Sequence, residues 1–211
     1  MSNFRPYDSS ISDLSLKSWI RCERKAWLDN FGNQNKRKWC AHDALQANQE
    51  KRSLKVISEE TSKLQKGINL CSEGFKWVLG FKLKGLTPDG KRIEGTPLLL
   101  KRIKGQSRWG NFSYIPVIVK QGKYITKEHR LLLAIYGYLL DNLQGSKNLR
   151  GLIISKGINR LEKKEIIINE KYLIQLFINL NKLSESLSSN AVPPLAKDRK
   201  KCNICIWNAI Y

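Results

Sequence analysis

The sequence predicts an α/β domain with a mixed sheet and helices on both of its sides. Three observations carry that expectation. Residues 93–140 read as two extended runs followed by a long apolar helix. The chain as a whole runs helix, helix, strands, helix, strands, helix. Within the helical segments apolar residues recur at three- and four-residue steps, and in a strand segment they alternate in period two.

At 211 residues the chain suffices for one domain with a sizeable core. Residues 1–12 are polar and read as a flexible arm, which leaves 13–211 as the single domain. Ser12 or Asp13 caps a first helix over about 14–30. Leu16, Trp19, Ile20, Ala26 and Trp27 share one face of it, and Arg21, Glu23, Arg24 and Lys25 lie mostly outside. Cys22, taken alone, reads as a small core residue. A basic loop over 32–38 leads to a second helix from about His42 to Lys66, with a weaker stripe of Leu45, Leu54, Val56, Ile57 and Leu64. His42 near its start reads as a cap or a surface residue before a ligand.

Strands follow. Ile68–Cys71 is a short one, and Lys76–Lys84 alternates apolar and polar as a half-buried strand does. Thr87-Pro88-Asp89-Gly90 is a turn, because proline presets one central φ and glycine tolerates a positive one. The strand from Arg92 pairs back as a hairpin and continues through Ile103. Lys101–Arg108 is a basic loop fit to face phosphates, and Phe112–Lys120 is the next strand. Thr126 caps a helix whose segment Leu131–Leu140 is apolar enough to be buried. Leu149–Ser155 and Lys163–Ile168 are short strands. Leu173, Leu176, Phe177, Leu180, Leu183 and Leu187 mark an amphipathic helix over 171–188. A linker over 188–194 precedes the cysteine-bearing segment 197–211.

The charge balance narrows the partners. Thirty-eight Lys and Arg stand against 18 Asp and Glu, a formal +20, which exceeds what solubility needs and points to a polyanion, with DNA the leading choice. A solvated basic surface, a face toward a ribosome or membrane, and drift in an AT-rich genome are the plainer accounts. No apolar run reaches 18 residues, so no transmembrane segment is expected. The first residues lack an apolar signal core, and a cytoplasmic protein is expected. Five cysteines are an odd number for a disulfide framework, and their clustering suits metal ligation in a reducing compartment. Cys202-x-x-Cys205 is the sharpest local signal; a tetrahedral site would need two more ligands, with Cys22 and Cys40 the distant thiols and His42 a poorer donor.

These residues resemble a known family. Cys22-Glu23-Arg24-Lys25-Ala26-Trp27-Leu28 is similar to the N-terminal C-x-R-x-x-W-L segment of RecB-like nucleases of the PD-(D/E)XK superfamily, which include the CRISPR-adaptation exonucleases. The tail Cys202-Asn203-Ile204-Cys205-Ile206-Trp207 resembles the family's C-terminal cysteine motif. The resemblance implies a restriction-endonuclease-like mixed sheet flanked by helices, with both chain ends brought together. It also implies a four-iron, four-sulfur cluster on one N-terminal and three C-terminal cysteines. Cys22, Cys202 and Cys205 match three of these, and Tyr211 stands at the fourth.

The same resemblance places the chemistry. Glu94-Gly95-Thr96-Pro97-Leu98 matches the turn before the family's first metal-binding Asp, with Leu98 in the acidic position. Ile118-Val119-Lys120 matches the (D/E)-x-K element, with Ile118 for the acid and Lys120 kept. Leu132 and Tyr136 match the Gln-x-x-x-Tyr of the following helix, with Leu132 for the Gln. An aliphatic side chain offers no lone pair to Mg²⁺, so the resemblance implies a degenerate active site that still binds nucleic acid. Lys101, Arg102, Lys104, Arg108, Lys120, Lys123, Lys127 and Arg130 are the expected phosphate contacts, with Tyr136 beside them. Trp109 and Tyr124 are candidates to stack on unpaired bases. Two other readings stay open. One is an active Mg²⁺- or Mn²⁺-dependent DNase in which Glu94 or Glu128 supplies the missing acid beside Lys120; the other is a basic structural or partner protein of a larger complex.

Overall fold

The computed structural model describes residues 9–59, 64–120, 122, 124–156, 161–197, 200–203 and 205–208. In chain order its elements are β1 (Ile11–Ser12), α1 (Asp13–Arg21), α2 (Glu23–Phe31), α3 (Ala41–Glu59), α4 (Ile68–Ser72), β2 (Trp77–Leu79), β3 (Leu83–Leu86), β4 (Arg92–Gly95), β5 (Leu99–Ser107), β6 (Gly110–Lys120), α5 (Lys127–Gln144), β7 (Arg150–Lys156), β8 (Leu161–Ile167), α6 (Glu170–Ser188) and α7 (Lys200–Asn203). A five-stranded sheet has the order β2-β5-β6-β7-β8, and a three-stranded sheet the order β1-β4-β3. Both are mixed. In the larger sheet β6 and β7 are parallel and every other neighbouring pair is antiparallel. A parallel pair needs a crossover, and α5 supplies it.

Helices cover both faces of the larger sheet, as the sequence predicts. On one side Leu100, Tyr114, Ile118 and Ile153 pack against Leu131, Leu133 and Ile135 of α5 and Leu176 and Leu180 of α6. On the other, Leu99, Ile115, Val117, Leu152 and Ile154 meet Ile57 of α3. The chain ends also come together. Trp207 is fully buried against Leu28 and Ile206, its Nε1 donates to Asp29 at 2.7 Å, and the Lys38 amide donates to the Ile206 carbonyl at 2.8 Å.

Five local expectations are corrected. The single helix over 14–30 breaks at Cys22, whose extended backbone (φ −166°, ψ 127°) ends α1 and starts α2. Ser12 is the cap, accepting the Ser15 amide at 3.1 Å. The expected arm over 1–12 gives up Ile11 and Ser12 to β1, where Ile11 pairs with Ile93 and is 1% exposed. Residues 68–71 form the helix α4 instead of a strand; a short apolar run carries no period that separates the two, and the helical turn buries Cys71. Residues 101–108 are not a loop, because their side chains alternate across β5 and its hairpin with β6.

The last correction shapes the molecule. Residues 76–84 and 93–103 each read as one strand, yet each is split between the two sheets. The two breaks meet: the Gly80 amide donates to the Leu98 carbonyl at 3.0 Å. A Cβ on Gly80 would lie 1.5 Å from the Pro97 carbonyl oxygen, so only glycine lets the segments cross. Gly80→Ala is therefore expected to destabilise the protein by more than the ~1–3 kcal/mol of ordinary overpacking, because backbone has to move. Urea unfolding measures this, and a variant as stable as the parent would contradict the crossing.

Candidate nucleic-acid interface

A cavity of about 930 Å³ lies between α1, α3, the start of α5 and the C-terminal tail. Helix α1 presents Asp13, Lys17 and Arg21 to it, four residues apart and hence on one face. Helix α3 adds His42, Gln46 and Glu50 by the same spacing, with Asp43 next to His42. The crossing before β5 contributes Thr96 and Leu98, and the end of β6 contributes Ile118 and Val119. Lys127, Glu128, His129, Leu132 and Tyr136 come from α5.

Hydrogen bonds fix this wall. Asp13, 8% exposed, accepts the Leu14 amide at 2.9 Å on one oxygen. Its other oxygen accepts the Thr96 amide at 3.1 Å and the Tyr136 hydroxyl at 2.6 Å. Burial, followed by the Asp13 charge, pushes the Tyr136 phenol well above its ordinary range. Arg21 donates to both oxygens of Glu128, at 2.7 and 3.0 Å, and lies 3.8 Å from Asp43. Burial alone would raise the Glu128 carboxyl, but the Arg21 hydrogen bonds and charge outweigh it and hold it below the usual range. His129 Nδ1 accepts the Thr126 amide at 3.0 Å while the Thr126 side chain caps the helix, and burial lowers the imidazole pKa.

The residues singled out from the sequence divide. Leu98, Ile118, Leu132, Tyr136, Lys127 and Glu128 all line the cavity. Lys120 is 2% exposed, and its ammonium donates to the Gly122 carbonyl; burial lowers its pKa, with Glu162 pulling the other way. Glu94 lies in the smaller sheet, paired with Lys82 at 2.9 Å, and is not among the lining residues. Arg130 donates to the Tyr172 hydroxyl at 2.7 Å and lies over its ring. Lys123 falls outside the described residues.

The remaining cations do not line the cavity. Arg108 bonds the Leu143 and Gln144 carbonyls at the C-terminal end of α5, and Lys127 starts that helix. A helix of 18 residues is about 27 Å long, so the expected basic face is two separate groups. Lys104 pairs with Phe112 toward the far end of the sheet. Lys101 lies over the Trp77 ring, and Arg102 over Phe112 while bonding the Gly74 carbonyl. Trp109 packs edge-on against Tyr114, whereas Tyr124 is 77% exposed at the cavity.

Cys22, Cys40, Cys202 and Cys205 all line the same cavity, and Cys71 is in the core with its thiol pushed up to about 12 by burial. Tyr211 falls outside the described residues. Among the described residues no group of three or more His, Cys, Asp or Glu side chains converges closely enough to hold an ion. As placed, neither the described thiols nor the described carboxylates form a site for a single ion. Asp13, Lys17, Lys25, Gln46 and Glu50 were not candidates on sequence grounds. The four-residue steps Asp13–Lys17–Arg21 and His42–Gln46–Glu50 were the available signal, whereas Lys25 lies beyond the break at Cys22.

No family model matches the chain, and no curated protein matches it. A crystal structure of SSO0001 is similar to 99% of this chain and 89% of its own, with a TM-score of 0.54 at 13% identity. That likeness is one of fold.

The Arg21–Glu128 pair sets an acid response. Because folding lowers the Glu128 pKa, the pair stabilises the protein above the unfolded value of about 4.3, and that contribution is lost as pH falls through the lower folded value. Glu128→Gln is expected to cost about 1–2 kcal/mol at neutral pH and to flatten the fall in stability below about pH 4. Thermal melts across that range give the answer; an unchanged acid limb would show the pair contributes nothing.

Proposed function

We propose that this chain binds nucleic acid on a nuclease-like scaffold of the RecB-like kind and does not cut it. The observation that carries the reading is the apolar wall of the cavity. Leu98, Ile118 and Leu132, which the resemblance aligns with the family's Asp, (D/E) and Gln positions, line it. Magnesium keeps close to six oxygen neighbours and dehydrates reluctantly, so an aliphatic wall gives it no compensation. Glu94 is engaged with Lys82, Glu128 with Arg21 and Asp13 with three donors, and among the described residues Asp43 and Glu50, the other carboxylates of the cavity, do not converge with them on an ion.

The binding half rests on charge. A formal +20 favours a polyanion, and Lys17 and Lys127 line the cavity without an ion-pair partner among the described residues. Phosphate contacts of this kind release counterions, so affinity falls steeply with salt. Fluorescence anisotropy with labelled single- and double-stranded DNA should show that fall, and Lys17→Glu with Lys127→Glu should lower the logarithmic salt slope by about 0.7 per lost phosphate contact on a single strand. Affinity that stays flat with salt would remove the nucleic acid from the reading. With Mn²⁺ present the strands should stay intact; cleavage that vanishes in Lys120→Ala would establish the enzyme alternative instead. A protein partner that survives nuclease treatment of the purified material would favour the basic structural reading.

A further inference from the structure

Charge alone does not explain what the described lining of the cavity would hold. Among the described residues, its lining holds four cations, Lys17, Arg21, Lys25 and Lys127, and four carboxylates, Asp13, Asp43, Glu50 and Glu128. Among these residues the two sets cancel, so their net charge does not draw a phosphate inside. What remains inside is an aliphatic surface and a set of hydrogen-bond acceptors. A volume near 930 Å³ is at the upper end of what ligand pockets enclose, room for more than one heterocycle.

The acceptors define the ligand's edge. Glu50 receives one hydrogen bond, from Gln46 Nε2 at 2.7 Å, and no cation pairs with it among the described residues. Gln46 Nε2 also donates to the Val119 carbonyl at 2.8 Å, so both amide hydrogens are committed and its oxygen stays available. An ionised carboxylate only accepts. A ligand that satisfies Glu50 and the Gln46 oxygen has to donate, and it needs a flat apolar body to cover Leu98, Ile118 and Leu132. Tyr124, 77% exposed in the cavity lining, offers a ring on which such a body can stack.

We infer that the cavity receives unpaired nucleobases bearing an exocyclic amino group, with Glu50 accepting from the amine, while Lys17 and Lys127 meet the phosphates of the same strand. This rests on the nucleic-acid reading above and names which part of the strand enters. Adenine, cytosine and guanine carry such an amine; thymine offers only one ring N–H.

The test holds phosphates constant and varies bases. Anisotropy compares single-stranded oligodeoxynucleotides of equal length made of dA, of dC, of dT or of abasic sugar-phosphate units, with the intact protein at one salt concentration. The dA and dC strands should bind about tenfold tighter than the abasic strand and tighter than dT. Tyr124→Ala should reduce the advantage over the abasic strand, and Glu50→Gln should erase the preference over dT; circular dichroism of each confirms its fold. Equal binding of all four strands would overturn the inference and leave the electrostatic reading standing. Failure of every strand to bind at low salt would overturn both. A preference for dT, or one that survives Glu50→Gln, would overturn the role of the carboxylate.

Discussion

A single buried carboxylate ties together the parts of this molecule that sequence distance keeps apart. Asp13 begins α1, yet its oxygens accept from Thr96 at the crossing between the two sheets and from Tyr136 in the middle of α5. No cation neutralises it among the described residues; three donors hold it instead. Taking a carboxylate out of water without such partners costs several kcal/mol, so the three elements are constrained to arrive at the same point. The cavity is the space left beside that point, bounded by α3 on one side and the chain's C-terminal tail on the other.

The crossing at Gly80 and Pro97 supplies the second constraint. Because both extended segments change sheets at one place, Leu98 emerges between sheets and lines the cavity beside Ile118 at the end of β6. The apolar wall is thus a consequence of topology acting on two particular residue types. With leucine and isoleucine at those positions the backbone presents a surface for apolar contact.

Elements with a strong period were legible in the sequence. The helices α5 and α6, the hairpin turn at Thr87–Gly90 and strands β6 to β8 lie close to where periodicity and turn chemistry put them. What the sequence did not disclose was where an extended run changes partner, since alternation is the same on either side of such a break. The split at Gly80 had one local sign, a glycine inside a strand pattern, which marks close backbone approach as readily as a bulge. The site was half legible. Leu98, Ile118, Leu132 and Tyr136 were identified and do converge, but Asp13, Gln46 and Glu50 lie on helices whose contribution depends on packing from a distance. The basic residues misled in the opposite direction: Lys104 and Arg108 are near the others in sequence and at the far end of the sheet in space.

Lys120 shows how far a residue's role depends on that convergence. A lysine at the end of a strand reads as a phosphate contact, and a solvated one would serve. Here it is 2% exposed, burial disfavours its charged form, and its ammonium is spent on the Gly122 carbonyl. For Lys120 to touch a phosphate, that bond has to break and the side chain has to reach water. Lys17 and Lys127 meet no such obstacle, since both line the cavity with no ion-pair partner among the described residues. The cations that line the cavity free of ion pairs thus come from α1 and the first turn of α5, not from the strand that carries Lys120.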